Sequence, residues 1–484
     1  MLLLAAWLLR LALIFRGGQN YFPDENRYAR CVELLALPWF DSGAQGGMFS
    51  RMLNWHDHAG FMLPGCLAAL CQKALMFATG WSAQKTIWAP AAVLSLASTL
   101  CIALTYGIAR RCNADEMESF LAAFLMACSN VMFFYSRHLL PYDASLAFAL
   151  ASLFVGFKKQ PGPARSIFAG FLDCLCFLVY YGYWNIALIV GIIHLTREFQ
   201  SKNIRGFLAK SALFGIGAIG PLLMLNALTI VAGCVPFFYG AHVFSHTIAM
   251  GDFDEAWRLP WEYLWHAETG LLLVWIAGGA ALAFAARKAP AGIFRRAVLW
   301  FTAAAAIYLM FVVFSCGLKR LVVYGRLVRQ MVPFLCLGAA CSLSWVLSFA
   351  GARRYLRPLS FTALAAVAAF NQYAPLAQRF PQEVKETVFA HYDSVHENVS
   401  VIATSSGWSP PRMQEDDSRY ALINAQILFA VIGTKPAPAG EIVFSTPHPL
   451  QYKPYQYEGC TPAEREIVNG TDMSMRLIDT APRK

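Results

Sequence analysis

The sequence predicts a polytopic all-α membrane protein: a bundle of about eleven transmembrane helices, interfacial helices in a long first outer loop, and a small C-terminal α/β domain outside the bilayer. Three observations predict it. The chain of 484 residues is 57% hydrophobic and only 14% charged, with mean hydropathy +0.46, whereas a soluble chain of this length carries far more charge. Apolar runs near the length of a bilayer crossing recur along most of the sequence. Short basic clusters separate them in alternation, which is how cytoplasmic loops read under the positive-inside rule.

The spans fall at roughly 1–16, 86–109, 117–135, 141–157, 166–183, 184–197, 207–232, 268–286, 297–315, 331–350 and 358–376. With a cytoplasmic N-terminus, the basic clusters all fall on one side. These are Arg110-Arg111, Lys158-Lys159 with Arg165, Arg197 to Arg205, Arg287 to Arg296, and Arg353 to Arg357. Counting the apolar segment 60–79 as a span would invert every later loop, so it is expected to be re-entrant or interfacial on the outer side; the alternative is a true span with one of the later spans wrongly assigned. Residues 1–16 lack the basic start and small-residue cleavage site of a signal peptide and are expected to be a retained first span. Residues 1–376 then form the membrane domain. Residues 377–484, proline-rich with strand-like runs at Val399–Ile402 and Glu441–Phe444, form the soluble domain.

Composition also excludes several functions. The +10 charge is scattered between apolar runs rather than gathered in a patch, which speaks against a nucleic-acid partner. No Walker loop, GxGxxG or internal repeat is present, which speaks against a nucleotide-driven pump. Most of the 13 cysteines, such as Cys101, Cys128, Cys174, Cys176 and Cys341, sit inside apolar runs as small hydrophobes, and no CxxC pair has zinc spacing. Cys31, Cys66, Cys71, Cys234, Cys316 and Cys460 lie nearer outer loops, where a disulfide is compatible with the sequence but not implied by it.

Four segments carry candidate chemistry. The first is Pro23-Asp24-Glu25-Asn26-Arg27-Tyr28, just after the first span. Asn26, Arg27, Arg30 and Glu33 share one helical face, and Tyr28, Val32 and Leu35 another, as in a helix lying in the interface. Asp24 at its start reads as an N-cap or as a general base, since a capped carboxylate stays ionised and can take a proton. The second is Asn54-Trp55-His56-Asp57-His58, where substrate hydrogen bonding, plain loop structure and a divalent-metal site remain alternatives. His242 and His246 also share a helix face, read as an interfacial helix.

The third is Tyr135-Ser136-Arg137-His138-Leu139-Leu140-Pro141-Tyr142-Asp143, where one span ends and the next begins. An ionisable group such as Asp143 at that depth usually faces a cavity. The fourth places Lys319, Arg320, Arg326 and Arg329 in an outer loop, against the positive-inside trend. A bound phosphate would account for them, because guanidinium forks match its oxygens; contact with anionic headgroups is the alternative.

Taken in order, the first span, Pro23-Asp24-Glu25-x-Arg27-Tyr28, the long outer loop and Arg137-x5-Asp143 resemble the GT-C membrane glycosyltransferases that use polyprenyl-phosphate sugars. The protein O-mannosyltransferases and the bacterial lipid A aminoarabinose transferases are the relatives nearest in pattern. The resemblance covers the layout of residues 1 to about 350. It implies that Asp24 deprotonates an acceptor hydroxyl, which attacks the anomeric carbon with inversion as polyprenyl phosphate leaves. By the same resemblance Glu25 and Asp143 position acceptor or donor. Arg326 and Arg329, with Lys319, Arg320 and Arg137, hold the donor phosphate, while Arg27, Tyr28, His56, Asp57, His58 and His138 position substrate.

Where many of these relatives have a Lys-Pro pair, this chain has His56-Asp57-His58-Ala59-Gly60. That leaves the donor-phosphate lysine unassigned; no cofactor is required, and a divalent metal held by His56, Asp57 and His58 stays open. The expected partners are a polyprenyl-phosphate-linked sugar, a lipid, glycan or protein acceptor, and the bilayer. The expected location is a bacterial inner membrane, with the active site and the C-terminal domain on the periplasmic side. A transporter or flippase of lipid-linked sugars is the alternative from another class, and a scaffold of an envelope-assembly complex a third. The absence of repeats and the large outer domain count against transport.

Overall fold

The computed structural model describes residues 1–15, 26–39, 47–81, 83, 85–157, 162–199, 204–247, 256–285, 291–321, 323, 325–349, parts of 362–371, and four short strands beyond residue 398. Asp24 and Glu25, and most of the expected span 358–376, lie outside the described residues.

The chain opens with the short apolar helix α1 (Leu2–Ile14), followed by α2 (Asn26–Leu34), α3 (Met48–Leu53) and α4 (Met62–Thr79). A 3-10 turn, Ala59–Phe61, leads directly into α4. Together they make a helical stretch, Ala59–Thr79, long and apolar enough to cross a membrane. The segment is one continuous helix of span length rather than a short re-entrant piece: Pro64 and Gly65 fall in the first turn of α4, where the amide lost at Pro64 has no partner within α4, and Gly80 in the left-handed region ends it. The buried face of α2 also differs from the expected one. Tyr28, Cys31 and Leu34 face inward, and Arg27 is buried with them rather than on a solvated face.

Next come α5 (Trp88–Arg111), α6 (Glu116–Ala127), α7 (Asn130–Tyr135) and α8 (Tyr142–Gly156). Arg110 Nη1 donates to the Ala114 carbonyl at 2.8 Å as α5 ends, and the Asp115 carboxylate caps α6 by accepting from the Glu118 amide at 2.7 Å. The expected single span 117–135 is two helices, because Ser129 starts a new one, its side chain accepting from the Met132 amide. Then follow α9 (Pro163–Val179), α10 (Trp184–Phe199), α11 (Ile204–Val231), α12 (Phe237–Thr247), α13 (Leu259–Ala267), α14 (Thr269–Ala285), α15 (Ala291–Val312), α16 (Gly325–Val328) and α17 (Val332–Phe349).

Among the described residues, five helical stretches are long and apolar enough to cross a membrane, or six if α13 and α14, bent by 118° at their junction, count as one broken span. One of the five runs from Gly325 to Val346, so Arg326 and Arg329 lie in a helical stretch continuous with α17 rather than in an irregular loop. Only Lys319 and Arg320 remain exposed there, at the end of a π-helical turn, Val313–Gly317.

In the bundle α5 packs on α1, α4, α6 and α8; α8 packs on α9, and α9 on α11. On the other side α17 packs on α6, α14 and α15. The α9–α11 crossing is backbone to backbone: a Cβ at Gly170 or Gly217 would overlap a carbonyl of the opposite helix. Small residues let apolar helices approach this closely where lipid supplies no hydrophobic driving force.

One buried carboxylate ties three helix ends together. Glu268, at the bend between α13 and α14, accepts from the Ser129 hydroxyl (2.5 Å) and from the amides of Asn130 (3.0 Å) and Val131 (2.8 Å), the first turn of α7. Asn371 Nδ2 donates to it at 2.8 Å, while Asn371 Oδ1 accepts from the Gly270 amide at the start of α14. A carboxylate at a helix N-terminus satisfies amides that have no intrahelical acceptor and lies favourably in the helix dipole.

Beyond residue 398 the described residues form a four-stranded antiparallel sheet in the order β1-β4-β3-β2. Its strands are β1 (Val399–Ala403), β2 (Thr434–Pro436), β3 (Glu441–Ser445) and β4 (Ser474–Asp479). Val399 pairs with Asp479 and Glu441 with Ile478.

Candidate functional site

The loop 54–58, the start of α8 and the head of the last described span converge on a cluster of tyrosines. Asp143 stands in the first turn of α8, buried, and its carboxylate accepts from Arg329 Nη2. The Arg329 guanidinium lies 4.9 Å from the Tyr135 ring and 5.7 Å from the Tyr142 ring. Arg326, three residues earlier and half-buried, lies 5.9 Å from Tyr142, and its carbonyl accepts from the Tyr183 hydroxyl at 3.3 Å. Both arginines therefore address one aromatic ring, with the geometry of cation–π contacts.

A further cation comes from α1. Arg10 is wholly buried, donates to Ser98 Oγ (2.9 Å) and to the Ala6 carbonyl (3.0 Å), and lies within electrostatic reach of Asp143 and Arg329. Two buried guanidiniums thus share one carboxylate. Arg10 Nη2, Arg329 Nε and Arg329 Nη1 meet no acceptor among the described residues. Buried guanidinium N–H groups without acceptors are costly, so the cluster is one negative charge short of balance.

The second motif approaches from the other side. Asp57 accepts from Arg27 Nε at 2.8 Å, contacts His58 Nδ1 at 2.6 Å, and has Arg30 Nη1 at 3.7 Å. Burial pushes the Asp57 carboxyl upward, but the Arg27 charge and the His58 hydrogen bond outweigh it and bring it down to about 2. His58 stacks on Tyr181 at 4.8 Å and tilts against Tyr180 at 4.7 Å. Tyr180 packs edge-on to Tyr142 at 4.7 Å. An unbroken run of rings therefore joins His58 to the ring that faces Arg326 and Arg329. The loop can pass this close to the end of α9 because residue 60 is glycine: a Cβ there would lie 2.8 Å from the backbone of Leu178 and Val179.

His56 points elsewhere. Its ring packs against Gly240 and stands 6.5 Å from Phe237, its two nitrogens meet no partner among the described residues, and burial lowers its pKa. His56, Asp57 and His58 do not gather around a common point, and no group of three or more His, Cys, Asp or Glu suited to a metal occurs among the described residues. Arg137 and His138, between α7 and α8, are both buried, with Arg137 Nε donating to His138 Nε2 at 3.2 Å. Tyr28 donates to Gln72 Oε1 of α4. Lys319, in the left-handed region, and Arg320 are exposed.

Of the expected residues, the structure brings together Arg27, Asp57, His58, Asp143, Arg326 and Arg329. It sets His56, Lys319 and Arg320 apart. Arg10 and the tyrosines at 180, 181 and 183 were missed by sequence reasoning. Arg10 had a usable signal, as a charge in the middle of an apolar span. The same signal marks Glu268 and Asp173, the latter buried on α9 with Oδ1 unpartnered among the described residues.

No protein-family profile matches the chain, and no curated protein matches it.

Proposed function

We propose that this chain is an inverting glycosyltransferase that moves a sugar from a polyprenyl-phosphate donor to an acceptor hydroxyl at the outer face of a membrane. The observation that carries the reading is the buried Arg10–Asp143–Arg329 cluster, with two guanidiniums to one carboxylate and three guanidinium nitrogens lacking acceptors among the described residues. A lipid phosphate supplies the missing negative charge and acceptors. Half-buried Arg326 on Tyr142 is the residue best placed to meet the phosphate first.

In this reading Asp24, with Glu25 beside it, is the base that takes the acceptor proton, and Asp143 orients Arg329. Arg27 holds Asp57 and His58 against the tyrosines, where sugar hydroxyls find hydrogen-bond partners and a ring face. The acceptor is a lipid, a glycan or a protein. The bundle has about eleven spans in a bacterial inner membrane, and the sheet beyond residue 398 belongs to an α/β domain on the periplasmic side.

The test uses the full chain in proteoliposomes with a radiolabelled polyprenyl-phosphate sugar and a glycolipid extract as acceptor. Transfer is expected from the wild type. With Asp24→Asn it should fall about 10²–10⁴-fold, with unchanged membrane insertion. Movement of the donor across the bilayer without transfer would overturn the reading in favour of a flippase, and so would wild-type transfer by Asp24→Asn. Transfer that persists in EDTA argues that no divalent ion is needed.

A further inference from the structure

Two cysteines from separate segments meet at the seam between α2 and α4. Cys31 lies on the buried face of α2, and Cys66 is half-buried near the start of α4. Each thiol lies within electrostatic reach of the other. The approach is tight: a Cβ on Gly65 would stand 2.6 Å from Cys31 Sγ, so the sulfur rests on the α4 backbone beside Cys66. The same seam is held by Tyr28 donating to Gln72 and by Lys73 Nζ at 3.5 Å from the Val32 carbonyl. A cysteine sulfur seated beside a second cysteine across two packed helices is within torsional reach of disulfide geometry.

We propose that Cys31 and Cys66 are a disulfide-forming pair that bolts α2 to α4 when a small or protein disulfide oxidises them. The Cys66 thiolate attacks a sulfur of the oxidant's disulfide, forming a mixed disulfide and expelling one thiol. Cys31, on losing its proton, then attacks Cys66 Sγ, and the second thiol of the oxidant leaves. Two protein thiols give up two protons and two electrons, and the oxidant's disulfide becomes two thiols. The order follows from exposure, since Cys66 is within reach of an outside reagent and Cys31 is not.

The consequence falls on the site. Helix α2 carries Arg27, which holds Asp57, and α2 begins one residue after Glu25. A bond at Cys31 fixes that helix against α4 one turn from Arg27, so the closed pair sets the position of Arg27 and Asp57. The chemistry of the pair does not depend on the proposed transfer reaction.

The test uses the purified full chain in detergent, incubated with oxidised glutathione, alkylated with N-ethylmaleimide and digested without reduction. Mass spectrometry is expected to find a peptide pair joining Cys31 to Cys66, lost on reduction. Trypsin cleavage after Arg30, whose side chain is 56% exposed, should slow several-fold in the oxidised protein. In Cys66→Ser the linked pair should vanish; if that variant does not fold, the wild-type map alone decides. Alkylation of both Cys31 and Cys66, a stable glutathione adduct on Cys66, or a Cys66–Cys71 link in the wild type would each overturn the proposal.

Discussion

The Asp143 carboxylate and the Arg329 guanidinium, 186 residues apart in the chain, form an ion pair in which Arg329 is wholly buried. Removing Asp143 leaves two buried guanidiniums without a carboxylate, and removing Arg329 leaves Asp143 without its hydrogen-bonded partner and with only Arg10 in electrostatic reach. Asp143→Ala and Arg329→Ala should each destabilise the protein by about 3–5 kcal/mol. The double variant should lose clearly less than the sum. Thermal unfolding in detergent checks this, and additive losses would show that the two groups are not coupled.

Arg326 should be the donor-affinity residue that tolerates change without unfolding, being half-buried at the head of its helix. Arg326→Ala should weaken binding of the polyprenyl-phosphate donor about 10–100-fold, as for loss of a hydrogen bond to a charged group. Arg326→Lys keeps the charge but not the planar fork and should fall between. Equilibrium binding of labelled donor measures both. Equal affinity for Lys and Arg would point to headgroup attraction alone.

Acid should destabilise the loop 54–58 in two steps of the same sign. The folded pKa of Asp57 is brought down to about 2, below its unfolded value, so its contribution is complete above about pH 4 and is lost as the pH falls toward 2. The shift corresponds to about 2 kcal/mol. His56 is also lowered, by burial, so the unfolded chain takes up its proton first, and stability falls as the pH drops through about 6.5. His56→Phe should remove the upper step and leave the lower one. Unfolding midpoints between about pH 8 and about pH 2 decide it.

Gly60→Ala should be damaging although it adds only one methyl group. The new Cβ meets main chain at Leu178 and Val179, which cannot swing aside as a side chain can. A loss of about 1–3 kcal/mol is expected, together with weaker stacking of His58 on Tyr181. Thermal unfolding reads the first, and tyrosine near-ultraviolet circular dichroism the second.

Much of the helical layout was legible because apolar run length and charge at the ends are local properties. Asp143 at the start of α8 and the strands at 399–403 and 441–445 could be read from neighbouring residues alone. The break of 117–135 into α6 and α7 could not, because the amides it exposes are satisfied by Glu268, far along the chain. Arg329 was misread for a related reason. Its charge pointed to a loop, but a buried carboxylate partner lets an arginine sit inside the helical stretch that leads into α17, and that partner is set by packing rather than by spacing. Arg27 shows the same effect, since Asp57 lets this one cation be buried while Arg30 and Glu33 on the same face stay exposed. Tyr180, Tyr181 and Tyr183 fell at the end of the expected span 166–183 and carried no functional reading there. Only the fold shows that they join His58 to Tyr142.

The junction at Glu268 also imposes an order on biogenesis. A ribosome delivers Ser129 and Asn130 long before Glu268, and Asn371 a hundred residues after that. The first turn of α7 must therefore wait in the nascent chain with its amides unpaired, or on water, until the bend between α13 and α14 has been inserted. Even then one oxygen of Glu268 keeps a vacancy for Asn371. The membrane domain closes from its own late end, so a chain truncated before residue 371 should insert and yet remain unlatched, a ready substrate for membrane quality control.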